Sequence, residues 1–272
     1  MKPILPFLVL LLLSASLSSQ ILDGVYAKQT IATDRLVPYT SLREADVMWS
    51  RTVWRKIDLR EKLNLPLYYP IQPIGDRQSL SQVLIEAVKE GSLTAFAPMD
   101  DDFTTVLSRA EIEKLFFTID TMVVDDPDNP DQQIIKIIKN ELDLSEIIEY
   151  RIKEEWFFDK QRSVMDVRIV GIMPVRKEMV EDEVRSKPLF WIYFPEARTI
   201  LNNKAVFNRQ NDAARLSYDD IFSKRMFASY IYKENNVYDR TIGDYTYGQD
   251  ALLEADRIKK NMFDMESDYW EY

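Results

Sequence analysis

The chain has 272 residues, of which 45 are acidic and 35 are basic, and it contains neither histidine nor cysteine. These absences exclude Ser-His-Asp and Cys-His catalysis, cysteine metal clusters and most zinc sites. The net charge of -10 argues against a nucleic-acid surface, and the six glycines form no GxGxxG or GxxxxGK phosphate loop.

The first residues have the three-part pattern of a secretory signal peptide. Lys2 is followed by an apolar run over residues 4–13 and then by small residues suited to cleavage. The run is about half of the roughly 20 residues that a spanning helix needs, and a lipoprotein anchor would need a cysteine. We therefore expect three regions: a signal peptide at 1–19, an extended arm at 20–40, and one globular α+β domain at 41–272.

Tryptophan and basic residues are concentrated between residues 48 and 70, although the chain is acidic overall. The apolar residues of this stretch recur at steps of three to five, which favours a helix from Glu44 to Lys56. In that helix, Arg51 and Arg55 lie on the side opposite the apolar face. The prolines that follow predict an extended, polyproline-like segment over residues 65–75.

The clearest helix signal lies in the sequence SLSQVLIEAVKEG, over residues 79–91. Ser79 and Gln82 have the spacing of a capping box, apolar residues follow at helical spacing, and Gly91 is placed to end the helix. The sequence LTAF then predicts a short strand, and a second short helix is expected over residues 108–115.

The sequence DDPDNPDQQ at residues 125–133 supplies four aspartates, whose oxygens are ligands that calcium prefers. It lacks the central glycine and the closing glutamate of an EF-hand loop. Its prolines and acidic residues instead favour a solvated linking loop.

From Ile147 onward the apolar period changes from 3.6 to 2, which predicts a long β-hairpin over residues 149–175. Further strands are expected at 188–194 and 225–233. Shorter helical patterns occur at 195–203 and 217–222, and a C-terminal helix runs from Gln249 to about Ser267. The predicted fold class is α+β, with an antiparallel sheet of about four strands, mostly in the second half, packed with helices in one globular body.

Five long blocks with unusual chemistry extend over most of the predicted domain: WSRTVWRKIDLREKLNLPLYYP at 49–70, EEWFFDKQRSVMDVRIVGIMPV at 154–175, PLFWIYFPEAR at 188–198, SYDDIFSKRMFASYIYKE at 217–234 and ALLEADRIK at 251–259. On these blocks the chain resembles the GldN/PorN family of the gliding-motility and type IX secretion machinery of Bacteroidota. The arm at 20–40 carries no such signal.

The resemblance implies a periplasmic structural protein at the inner face of the outer membrane, with no catalytic, cofactor-binding or metal-binding residues to assign. It also implies two partners and a ring-shaped assembly. The first partner is an outer-membrane lipoprotein of the GldK/PorK type, and the second is the motor shaft protein GldM/PorM. No nucleic acid is implied, and contact with the membrane would be made through the partners.

Within these blocks, bulky aromatic and arginine side chains are the candidate partner-binding residues, because tryptophan and arginine are enriched at interface hot spots. The candidates are Trp49, Arg51, Trp54, Arg55, Trp156 and Phe157. The sequence leaves two interpretations open for them: they pack into the protein's own core, or part of them docks onto a partner. For Trp156 and Phe157, a cover by helices of the same chain or by another subunit is equally consistent with the pattern.

Two other functions are compatible with the residue inventory. A periplasmic glycan-active enzyme would use a pair of carboxylates, and 45 acidic residues supply many pairs. A small-ligand-binding protein would show a thermal shift with its ligand.

Overall fold

A computed structural model describes residues 35–75, 77–125, 133–180, 183–209, 211 and 214–270. The predicted signal peptide, most of the predicted arm and most of the predicted loop at 125–133 lie outside these residues. The α-helices are α1 (Leu65–Tyr68), α2 (Leu80–Glu90), α3 (Arg109–Phe116), α4 (Phe194–Asn202), α5 (Tyr218–Ser223) and α6 (Gln249–Trp270). The strands are β1 (Val47–Asp58), β2 (Ala95–Phe96), β3 (Phe117–Asp125), β4 (Gln133–Glu141), β5 (Ile147–Asp159), β6 (Val164–Val180), β7 (Glu183–Pro188), β8 (Trp191–Tyr193), β9 (Ala205–Val206), β10 (Leu216–Ser217) and β11 (Tyr230–Glu234).

One antiparallel sheet of seven strands dominates the described residues, in the order β11–β1–β5–β6–β8–β2, with β7 also paired to β6. Two further two-stranded sheets pair β3 with β4 and β9 with β10. The fold is α+β, but the expected sheet of about four strands is wrong. The six α-helices are secondary to this large sheet.

The largest error concerns the tryptophan-rich stretch, because Val47–Asp58 is a strand and not a helix. It lies in the sheet between β5 and β11. Its residues Val53, Trp54 and Arg55 are consecutive and all buried, because both faces of the strand are covered. A strand that is covered on both faces does not alternate apolar and polar residues. The spacing of its apolar residues therefore matched a broad helical face by chance.

The hairpin predicted over 149–175 is confirmed as β5 and β6, with a register shift between Lys153 and Glu154. The helix at 79–91 is also confirmed: Ser79 and Gln82 form the capping box and Gly91 has φ of 78°. The helices α3, α4, α5 and α6 follow the predicted segments closely. These elements depend on local signals: helix caps, the spacing of apolar residues and, for α2, the closing Gly91.

Other predictions need smaller corrections. Leu65–Tyr68 forms one helical turn, with a proline in its first turn, where an extended segment was expected. The strand expected at 188–194 is limited to Trp191–Tyr193, since Phe194 already begins α4. The strand expected at 225–233 begins only at Tyr230.

Apolar side chains form three clusters around the large sheet. The main cluster packs α2, α4 and α5 against one face, around Tyr150, Ile152 and Phe190. A second cluster joins the inner side of α6 to Val53 and Ile231. A third cluster lies on the opposite face: Trp54, Met173, Val175 and Trp191, with Phe96, Phe103 and Tyr232 packed against it.

Gly171 on β6 allows the third cluster to close. A Cβ at this position would lie 2.5 Å from a ring carbon of Phe103, which is too short for any real contact. The Phe103 ring therefore packs directly on the backbone of the sheet, beside Trp191. Of the helices in the described ranges, none combines the length and apolar character needed to cross a membrane.

We expect Trp54→Ala to lower the free energy of unfolding by about 3–5 kcal/mol, because it leaves a cavity in the third cluster. Met48→Ala is the matched control on the same strand, since Met48 is 53% exposed, and it should change stability by less than about 0.5 kcal/mol. Urea unfolding of both variants measures the difference. Equal midpoints for Trp54→Ala and the wild type would contradict a core role for this tryptophan.

Candidate docking surface and the charges beneath it

The structure divides the six candidate partner-binding residues into two groups. Three are buried, with exposed fractions of 6%, 7% and 2%: Trp54, Arg55 and Phe157. Three keep part of their surface exposed: Trp49, Arg51 and Trp156. Only the second group is available for direct contact with a partner in this conformation.

The three partly exposed residues lie on one face because of the antiparallel register of β1 and β5. Arg51 pairs directly with Trp156, and Trp49 pairs with Phe158 one step further along the same face. Trp49 and Trp156 pack against the second cluster beside α6. The guanidinium of Arg51 lies 3.5 Å from a carboxylate oxygen of Glu234 on β11. We call the surface formed by Trp49, Arg51 and Trp156 the aromatic–arginine face.

Beneath this face, Glu154 is fully buried, with 0% of its surface exposed. Trp156 Nε1 donates a hydrogen bond of 3.1 Å to Glu154 Oε2. Arg225 Nη2 donates to the same oxygen at 3.2 Å and lies 3.0 Å from Oε1. The Arg225 guanidinium also lies over the Trp156 ring, 5.4 Å from its centre. A buried carboxylate therefore connects β5 to the loop before β11.

Arg55 belongs to the same buried charge network. It donates hydrogen bonds to Ser229 Oγ at 2.8 Å and to the Ser229 carbonyl at 3.0 Å. Burial lowers the pKa of Arg55, and the nearby Glu154 carboxylate partly offsets this by raising it. The expectation that Arg55 points away from the protein is therefore wrong. Its side chain holds the loop before β11 against the sheet.

The aromatic–arginine face lies over buried charges that are compensated within the molecule. Within the residues that the structure describes, no group of three acidic side chains is arranged to hold a metal ion. The charges of Glu154 and Arg225 are directed at each other, and the Arg55 guanidinium lies near them while donating to Ser229. What the face offers outward is two indole surfaces and one guanidinium.

A model of one protein family, Gliding motility associated protein GldN, matches residues 42–271. The chain belongs to the GldN family. The resemblance read from the five sequence blocks is thereby confirmed, and this GldN-family chain is a gliding motility associated protein. No curated protein matches it at a significant level.

The GldN match begins just after a short segment, residues 35–40, that the structure docks onto the matched region. Arg198 and Asp219 form a buried ion pair, with nitrogen–oxygen distances of 2.8 and 2.9 Å. Arg198 also donates to the Val37 carbonyl at 2.9 Å and lies 4.0 Å from the centre of the Tyr39 ring. The end of the predicted arm is therefore held by a buried arginine.

Phe157 lies beside the same docked segment. The Arg168 guanidinium lies 5.2 Å from the centre of the Phe157 ring and 5.1 Å from that of Tyr39. Arg168 also donates a 2.5 Å hydrogen bond to the Thr40 carbonyl. The sequence left open whether Phe157 is covered by this chain or by another subunit. The structure covers it with residues of the same chain.

Sequence reasoning did not single out Glu154, Arg225, Arg198 or Asp219. Each lies inside one of the blocks that carried the family resemblance, so a signal was present, but it did not distinguish these residues from their neighbours. Charged residues are usually solvated, and only contacts between distant segments show that these four are exceptions.

We expect Arg225→Met to lower the free energy of unfolding by about 3–5 kcal/mol, because it leaves the buried Glu154 carboxylate without its cation. The double variant Glu154→Leu/Arg225→Met should recover part of this loss, since the buried carboxylate is removed together with its cation, while Arg55 keeps its hydrogen bonds to Ser229. Arg109→Met is the control, because the Arg109 side chain is 90% exposed. A double-mutant cycle by chemical denaturation measures the coupling, and additive effects would contradict the pairing.

Proposed function

We propose that this chain is a non-enzymatic structural subunit of the gliding-motility and type IX secretion machinery. In this proposal it is periplasmic after removal of residues 1–19, and it forms ring-shaped assemblies with an outer-membrane lipoprotein of the GldK/PorK type. A second contact is made with a motor shaft protein of the GldM/PorM type. The observation that carries the proposal is the GldN family match over residues 42–271.

The aromatic–arginine face is the surface that we assign to partner contact. Tryptophan and arginine are the residues most enriched among interface hot spots. Here the two tryptophans pack against the second cluster and Arg51 contacts Glu234, so the side chains lose little conformational entropy when a partner binds. Next to this face, α6 exposes Leu252, Leu253 and Phe263 to solvent.

The proposal is tested by purifying the tagged protein from gently solubilised cell envelopes, followed by mass spectrometry and particle imaging. We expect one dominant outer-membrane lipoprotein in large annular particles. Recovery of a lone, monodisperse monomer under all gentle conditions would overturn the proposal.

We expect Arg51→Glu to reduce the amount of co-purified lipoprotein at least tenfold, because hot-spot substitutions cost about 2 kcal/mol or more. The exchange variant Arg51→Glu/Glu234→Arg restores an internal pair and controls for lost stability. It should remain as defective in association as Arg51→Glu. Arg109→Glu, at a 90% exposed side chain, should bind normally.

Melting temperatures of all three variants separate folding from docking. If Arg51→Glu folds and recovers as much lipoprotein as the wild type, the assignment of this face to partner contact is wrong.

A further inference from the structure

A second surface of the chain forms an apolar groove. It encloses about 340 Å³, within the range of roughly 300–1,000 Å³ that ligand pockets occupy. Its apolar lining comes from α1, the segment after it, and the chain around β9: Leu65, Pro66, Tyr69, Pro70, Ile74, Ala205, Val206 and Phe207. Tyr69, Ile74 and Phe207 are about half exposed, at 52%, 58% and 48%. We call this surface the basic groove.

Three cations line the groove: Lys62, Arg77 and Arg209. Among its lining residues that the structure describes, none is acidic, although the chain has a net charge of -10. The Arg77 guanidinium lies 5.8 Å from the centre of the Phe207 ring. Within the described part of the chain, no ion pair joins these three side chains to a carboxylate. The groove therefore combines an exposed apolar floor with a positive rim.

The walls of the groove are held by hydrogen bonds between distant segments. Tyr218 Oη donates to the Gln78 carbonyl at 2.7 Å, and Arg209 Nη1 donates to the Lys62 carbonyl at 3.1 Å. Gln82 Nε2 donates to the Ile71 carbonyl at 2.6 Å, from the buried capping box of α2. A groove with fixed walls is formed before its ligand arrives, which lowers the entropic cost of binding.

We propose that the basic groove docks an acidic segment of another protein, one that carries apolar side chains between carboxylates. The apolar side chains enter between Pro66 and Phe207, and the carboxylates pair with Lys62, Arg77 and Arg209. Charge complementarity favours this occupant, because its carboxylates can pair with the three cations of the rim, which a basic or neutral apolar segment cannot do. A symmetric contact with a second copy is disfavoured, since it would place one basic rim against another.

The basic groove is separate from the aromatic–arginine face. Asn64 Nδ2 donates to the Asp58 carbonyl at 2.7 Å, which places the start of α1 at the end of β1. Trp49 lies near the other end of β1, and an extended strand covers about 30 Å between Trp49 and Asp58. The groove proposal therefore does not rest on the proposed function of that face, and each can fail alone.

Site-specific photo-crosslinking identifies the occupant in the full-length protein. A benzoylphenylalanine placed at Phe207 is irradiated in intact cell envelopes, and the crosslinked peptides are sequenced by mass spectrometry. We expect a peptide from a different protein, with apolar residues between several aspartates or glutamates. The same probe at Val237, which is 98% exposed, should not capture that peptide. Crosslinks to a second copy, to residues 20–34 of this chain, or to no protein would overturn the proposal.

The captured sequence is then synthesised and its affinity for the purified protein is measured by fluorescence anisotropy. The variant Lys62→Glu/Arg77→Glu/Arg209→Glu should bind at least tenfold more weakly, and wild-type affinity should fall as salt is raised. Arg109→Glu is the charge control, and Arg51→Glu should leave peptide affinity unchanged. Unchanged affinity in a folded triple variant would show that the basic rim does not select the ligand.

Discussion

The ion pair between the buried Glu154 carboxylate and Arg225 is the interaction that ties the loop before β11 to the large sheet. A buried charge costs several kcal/mol unless its partners are also in place. Trp156 and Arg225 donate to this carboxylate, and Arg55 lies near it while holding Ser229. The loop before β11 is thereby drawn against β1 and β5. That contact allows β11 to pair with β1, and α6 packs on the face that they share with β5.

The same network explains why an acidic chain concentrates positive charge and tryptophan in β1. Arg55 serves the buried charge network, and Arg51 lies beside Glu234 on β11. On the other face, Trp54 packs beneath the cations of Lys153 and Lys233, at 5.5 and 4.4 Å from its ring. Lys153 in turn pairs with Asp102 at 3.0 Å. Much of the positive charge around β1 is therefore neutralised within the molecule, whereas Lys62, Arg77 and Arg209 direct theirs toward the basic groove.

The predictions that hold are those with a local physical cause. The helix at 79–91 is set by the Ser79–Gln82 capping box and by Gly91, and all three residues lie within one segment. The hairpin of β5 and β6 is set by a period of two on both sides of a short turn. Family membership also follows from the chain alone, because the blocks that carry it are long and chemically unusual. For the six candidate partner-binding residues, the sequence showed which residue types are concentrated there but not which side chains stay exposed.

By itself, the sequence determined the helix caps, the central hairpin, the α+β class and membership of the GldN family. Only the tertiary structure decided that Val47–Asp58 is a strand, because its hydrogen-bond partners lie about a hundred residues or more further along the chain. It also decided that Arg55 and Glu154 are buried and that Lys62 and Arg209 line the same groove. The physical reason is common to these cases. Burial and charge pairing are properties of segments brought together from distant parts of the chain, and no local pattern records them.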